Sequence, residues 1–221
     1  MKTVPLIFVL FGLLLVLVPL VRGEDYFSWP ENRSDIFDPQ RWSYKAGVAV
    51  ITSNTIDQLA RGNFNRAAGP AGGEIYLFGV SYTLLDPEFS FCGRTYRPQM
   101  EAVAVGGWVD EQGKRPFYDA NVGVTFRWKD FPWNDAIYTN FETGVGFSYT
   151  QKVMQIERDR HPGRQRSHLK FYWPIELYLA HPRYRQHQAF LFIHHQSGGR
   201  TFDQGGSNHV GIGYRYVFRE R

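Results

Sequence analysis

Two residues near the C-terminal end of the chain have the types and spacing to do chemistry together. They are His195 and Ser197, in the stretch QAFLFIHHQSGG that covers 188–199. A serine hydroxyl is a weak nucleophile until a base takes its proton, and in an extended chain positions i and i+2 lie on one face. His195 is thus a candidate base and Ser197 a candidate nucleophile, while alternation turns His194 and Gln196 the other way. The turn GGRTFDQGGS follows, and the chain becomes extended again at Asn208. With Ser197 roughly opposite Asn208 across that hairpin, His195, Ser197, Asn208 and Val210 share a face. A polar tripeptide at a strand end also occurs simply because the end reaches water. What the elements around it build decides between the two.

Those elements read as strands. Period-two alternation marks eight of them, at 44–51, 74–83, 97–109, 119–128, 139–150, 169–179, 188–197 and 208–218. Helical signals are weak, with one short candidate at 55–60. In the fourth strand Ala120, Val122, Val124, Phe126 and Trp128 share one face, against Asp119, Asn121, Gly123, Thr125 and Arg127. The fifth and sixth repeat the pattern, with Phe141, Val145, Phe147 and Tyr149, then Leu169, Phe171, Trp173, Ile175 and Leu177, on the apolar side. The opposite face mixes glycine with Glu101, Arg127, Glu142, Glu176 and Arg215. A soluble sandwich would turn its apolar face inward. Glycine with ionisable groups on the other face suits a narrow barrel interior, where paired charges fill the lumen and lipid wets the outside. The fold class expected is all-β, an eight-stranded antiparallel transmembrane barrel. With the N-terminus on the periplasmic side, the outer loops are 52–73, 110–118, 151–168 and 198–207, and the inner connections are 84–96, 129–138 and 180–187.

The N-terminus and bulk composition agree with that class. Met1, Lys2 and Thr3 precede an uncharged apolar run from 4 to 21, with Val21 and Gly23 at a plausible cut, as in a secretory signal. An uncleaved anchor is the alternative for a run of that length. The expected division is a signal peptide at 1–23, a periplasmic segment at 24–43 and the barrel at 44–221. The single cysteine, Cys92, permits no disulfide within the chain, and no Cys follows the apolar run to carry lipid. Aromatics make up 17% of the residues and glycines number 22. The net charge of +4 fits anionic lipid as well as nucleic acid. Export favours lipid and sets nucleic acid aside. The last strand, NHVGIGYRYVF, alternates toward a terminal aromatic like the closing strand of bacterial outer-membrane proteins, although Arg219, Glu220 and Arg221 follow it.

In that frame FIHHQSGG…GGSNHVGIGYRYVF resembles the last hairpin of the lipid A 3-O-deacylases, the PagL-like or acyloxyacyl-hydrolase-like family of outer-membrane barrels. The family carries His-x-Ser-Asn on its seventh strand, and here His195, Gln196 and Ser197 match, with Gly198 in place of Asn. The resemblance covers the last thirty or so residues closely and the eight-strand plan generally. It implies hydrolysis of an ester-linked acyl chain of lipid A at the membrane surface, with no cofactor and no metal. Ser197 would attack, and His195 would act as base and then acid. The family's Glu on the eighth strand is replaced by Asn208 or His209. An Asn can orient the imidazole but brings no charge to the imidazolium, at a cost of orders of magnitude in rate. Asp203 in the turn is another candidate for that role.

The partners expected are lipid A or lipopolysaccharide and outer-membrane lipid, with a homodimer left open. The run ERDRHPGRQRSH at 157–168 places several Arg on an outer loop, where guanidinium groups suit phosphate. Trp128 and Trp133 flank an inner turn as an aromatic girdle would. His161, His168, His181 and His187 follow no metal-ligand spacing. The alternative function on the same residues is a non-catalytic barrel that binds lipopolysaccharide or serves a structural role. A periplasmic binding sandwich is a third class.

Overall fold

The computed structural model describes residues 41–218 except 87, 92, 93, 161 and 165. The expected signal peptide, most of the 24–43 segment and Cys92 lie outside the described residues. Eight strands close into an antiparallel barrel: β1 Trp42–Thr52, β2 Gly73–Leu85, β3 Gln99–Glu111, β4 Phe117–Trp128, β5 Tyr138–Thr150, β6 Leu169–Ala180, β7 His187–Ser197 and β8 Gly206–Val217. Each pairs with its sequence neighbour, and β1 pairs with β8 from Ser43↔Val217 to Thr52↔Asn208, so no sheet edge is left open. Strands of 11 to 13 residues are long enough to cross a membrane when tilted. No helix among the described residues is long and apolar enough to do so.

The outer wall is a belt of exposed apolar side chains, among them Phe78, Val122, Val145, Leu191 and Ile212, the last 59% exposed. Aromatic pairs ring its ends. Trp108 with Tyr118 and Phe147 with Phe171 mark one end, and Trp42 with Tyr82 and Tyr216 with Phe218 mark the other. Side chains this large stay in contact with solvent only where the solvent is lipid, so the barrel is transmembrane.

The lumen is packed rather than open. Arg215 donates to Glu101 at 2.6 Å and to Glu142 at 2.6 Å, with Tyr178 beneath its guanidinium. Arg127 donates to Asn140, Gln99 and Gln188. Lys45 pairs with Glu176 at 2.7 Å, and Glu176 also meets His194 Nε2 at 2.7 Å. Further out, Gln196 donates to Asp119 at 2.8 Å. All five charges expected to plug the interior do so, and each has an opposite charge within reach.

One half of the interior differs from expectation. Beside the polar network lies an apolar cluster containing Ile51, Ile75, Val105, Val109, Phe190 and Phe192. β2 and β3 are apolar on both faces there, a pattern that alternation alone does not resolve. Gly211 and Gly213 face Phe192 and Phe190 so closely that a Cβ would meet those rings at 2.4 and 2.5 Å.

The connections hold more structure than the sequence suggested. The expected short helix is present as α1, Ile56–Ala60, opened by a capping box at Thr55. A second helix, α2, spans Gln155–Arg160, and its flanking Met154 and its own Ile156 are buried over the lumen. The 84–96 connection contains a small hairpin, Phe89–Phe91 with Arg94–Tyr96, and β3 begins at Gln99 rather than at 97.

Candidate active site

β7 and β8 deliver the candidate residues to the outer wall. His194 and Gln196 point into the lumen and bond Glu176 and Asp119, so His195 and Ser197 stand on the lipid side, each half-buried. Asn208 stands on the same side. The register differs from the expected one, since Asn208 lies opposite His195 and Ser197 lies opposite Gly206. The β7–β8 turn is two residues shorter than assumed, because β8 begins at Gly206.

That register makes the orienting contact direct. His195 Nδ1 lies 2.6 Å from Asn208 Oδ1. The Asn208 amide nitrogen donates to the Asn54 carbonyl at 2.8 Å, which fixes Oδ1 as the atom facing the imidazole. His195 Nδ1 must then carry the proton it donates, and Nε2 keeps its lone pair. The ring is also held by Trp173, which meets it edge-on at 6.0 Å between centroids and is itself pinned by an indole bond to Thr143 Oγ1 at 3.0 Å. Ser197 Oγ accepts from the Gly199 N–H at 3.2 Å, and among the described residues no hydrogen bond joins it to His195.

The other candidates for the third position lie elsewhere. His209 faces the lumen, pairs across from His194 and lies 3.3 Å from Met154 Sδ. Asp203 is fully engaged: Oδ1 accepts from Gly205 N–H at 2.6 Å, and Oδ2 accepts from Ser167 N–H at 2.6 Å and Lys170 Nζ at 2.9 Å. Neither reaches the His195 imidazole, so Asn208 is its partner.

Loops close over this corner. Arg160 of α2 donates to the Ser53 carbonyl at 2.9 Å and the Gly206 carbonyl at 3.1 Å, and it reaches the Asn54 carbonyl at 3.4 Å. At least this arginine of the 157–168 run is committed to structure rather than to solvent. Below the pair, an apolar groove of about 800 Å³ runs down the wall between Val48, Val50, Leu191, Ile193, Val210 and Ile212. Ile193 and Val210 are the next outward residues after His195 and Asn208, so the groove begins at the site.

Trp173, Thr143, Asn54 and Arg160 were not identified from the sequence as parts of the site. Trp173 sits on β6 directly opposite His195, in a register that alternation does not specify, Thr143 sits one strand further on β5, and Asn54 and Arg160 belong to the β1–β2 and β5–β6 connections. Among the described residues no cluster of three or more His, Cys, Asp or Glu is arranged to hold a metal ion.

No protein-family model and no curated protein matches the sequence. Three solved structures are similar in fold. The chain superposes on the crystal structure of the outer membrane enzyme PagL with a TM-score of 0.54 at 14% identity, over 78% of this chain and 99% of that one. Neisserial surface protein A (NspA) gives 0.46 at 9% identity, over 80% and 96%. The N-terminal β-barrel domain of Pseudomonas aeruginosa OprF gives 0.41 at 9%, over 80% and 98%. The likeness to the PagL structure shows the fold, and this chain is an eight-stranded barrel of the outer-membrane type.

Proposed function

We propose that this protein is an outer-membrane esterase that removes an ester-linked acyl chain from lipid A. The observation that carries the reading is the fixed tautomer of His195. Its Nδ1–H is held by Asn208, its Nε2 is left as a base, and both residues share the lipid-facing wall with Ser197.

In this reaction the Ser197 hydroxyl gives its proton to His195 Nε2 as Oγ bonds the ester carbonyl carbon. The tetrahedral intermediate collapses, the C–O bond to the sugar breaks, and the leaving alkoxide takes the proton back from Nε2. Water then gives a proton to Nε2 as its oxygen attacks the acyl-serine carbonyl, the C–Oγ bond breaks, Oγ takes that proton back, and the fatty acid leaves. The Gly199 N–H donates to Ser197 Oγ at 3.2 Å, which holds the nucleophilic oxygen at the end of β7. Gly199 has φ 57°, and a Cβ there would meet the Phe171 ring at 2.8 Å. The groove below His195 offers the acyl chain an apolar bed. In this scheme the proton transfers through His195 Nε2 call for no metal.

Two observations favour a second reading, a non-catalytic barrel that binds lipopolysaccharide. Ser197 Oγ is engaged by Gly199 rather than by His195, and Asn208 is neutral.

The two readings part on one experiment. Purified lipid A in detergent is incubated with the wild type and with Ser197→Ala, and released fatty acid is measured by mass spectrometry. The esterase reading requires release by the wild type and none above background by the variant. Equal release by both, or none by either, leaves the binding reading.

A further inference from the structure

The turn between β7 and β8 and the β5–β6 connection beside it each display one guanidinium group, Arg200 and Arg164, that meets no carboxylate among the described residues. Residues 198–205 are tightly tied. Gly198 N–H donates to the Gly205 carbonyl at 3.0 Å, Thr201 and Phe202 N–H donate to the Gly198 carbonyl at 2.9 Å, and Arg200 N–H donates to the Asp203 carbonyl at 3.0 Å. Asp203, the acid within the turn, is occupied by Lys170 and two backbone N–H groups. Arg200 sits at φ 65°, a conformation that glycine or asparagine adopts with less strain, so turn geometry does not call for arginine there.

The Arg200 side chain is exposed and lines a hollow of about 610 Å³ together with Ser197, Gly199 and Gln204. Gln204 also lines an adjoining hollow of about 440 Å³ that includes Arg164, and Arg164 donates to Gln204 Oε1. Underneath, Phe202 rests against Phe171 at 4.9 Å and Phe147 at 6.3 Å on the lipid-facing wall. The apolar side of the turn thus faces acyl chains, and the two cations stand at the level of the headgroups, beside the nucleophile.

We propose that Arg200 and Arg164, on either side of Gln204, form a subsite for the phosphate of a membrane amphiphile whose ester reaches Ser197. Guanidinium binds phosphate oxygens through paired, charge-assisted hydrogen bonds, and a phosphomonoester, with more charge and no attached cation, binds it more strongly than the phosphodiester of a zwitterionic headgroup. The consequence for turnover rests on the esterase reading. The binding does not.

The test uses the full chain carrying Ser197→Ala in zwitterionic detergent, titrated with phosphatidic acid and, separately, with phosphatidylcholine of the same chain length. Phosphatidic acid binds the more tightly. Adding Arg200→Gln and Arg164→Gln weakens its binding about tenfold or more, the size of one or two lost charge-assisted bonds. Both positions are exposed, and migration on unboiled gels checks that the variants are folded. Equal affinity for phosphatidic acid before and after the Gln substitutions overturns the subsite, whether or not the wild type cleaves any ester. Displacement of phosphatidic acid by an equal concentration of inorganic phosphate also overturns it, because the site would then take free phosphate. Arginine-dependent binding with no Ser197-dependent hydrolysis overturns the esterase reading alone.

Discussion

At the scale of single residues, the site turns on one amide. Asn208 does two jobs, accepting from His195 Nδ1 and donating to the Asn54 carbonyl, and the second dictates the first. In the proposed reaction a carboxylate at this position would stabilise the imidazolium formed when Ser197 gives up its proton. At 2.6 Å the contact has no room for a longer side chain, so Asp, rather than Glu, is the substitution that fits. It also places charge against the Asn54 carbonyl. Asn208→Asp is expected to raise the turnover of an acyl ester about tenfold or more and to lower thermal stability slightly. Unchanged or lower turnover in a folded variant would mean that some other residue supplies the negative charge. His195, Ser197 and Asn208 were legible in the sequence because alternation reports which wall a side chain joins. Trp173 was assigned to the outer wall by the same rule, yet its role at His195 was not, since that depends on the register that sets Trp173 opposite His195.

At the scale of elements, the β7–β8 turn and α2 form a cap, and Lys170 is its centre. Lys170 Nζ lies 2.8 Å from Glu157 and 2.9 Å from Asp203, joining the helix to the turn from inside the barrel mouth. Burial alone would raise the Asp203 carboxyl, but Lys170 and the N–H groups of Ser167 and Gly205 outweigh it and hold the group below its ordinary 3.8. A depressed acid stabilises the cap at every pH above the ordinary value, and that contribution fades as pH falls from 3.8 through the lowered one. Amide exchange in residues 198–206 is therefore expected to quicken, after correction for intrinsic rates, between pH 5 and about 3. Asp203→Asn is expected to show the faster exchange already at pH 5. Protection in wild type that is independent of pH would mean that Lys170 is not what ties the turn. The strands around this cap were readable to within a residue or two. α2 was not, because six residues carry too little periodicity to stand out inside a charged run.

At the scale of the whole molecule, the fold was legible because two faces of different chemistry repeat through eight strands. The apolar pocket beside β2 and β3 was not, because both faces there carry aliphatic side chains. Closure rests on the β1–β8 ladder and on charges held across the lumen. Arg215 reaches Glu101 and Glu142 from β8, which ties that strand to β3 and β5. Arg215→Met leaves Glu142 buried without its cation, at a cost of about 3–5 kcal/mol. The expected readout is a lower temperature at which the fast-migrating band on unboiled gels converts to the slow one. An unchanged conversion temperature would place the stability of the barrel in its hydrogen-bonded wall alone.

The ion pairs and aromatic rings that occupy the interior have a consequence for the cell. Water and small solutes find no passage through so crowded a centre, and electrolyte current across a bilayer holding this protein should match that of bare lipid. The molecule works, then, as a post rather than a pipe, and its dealings with other molecules take place on its circumference and rim.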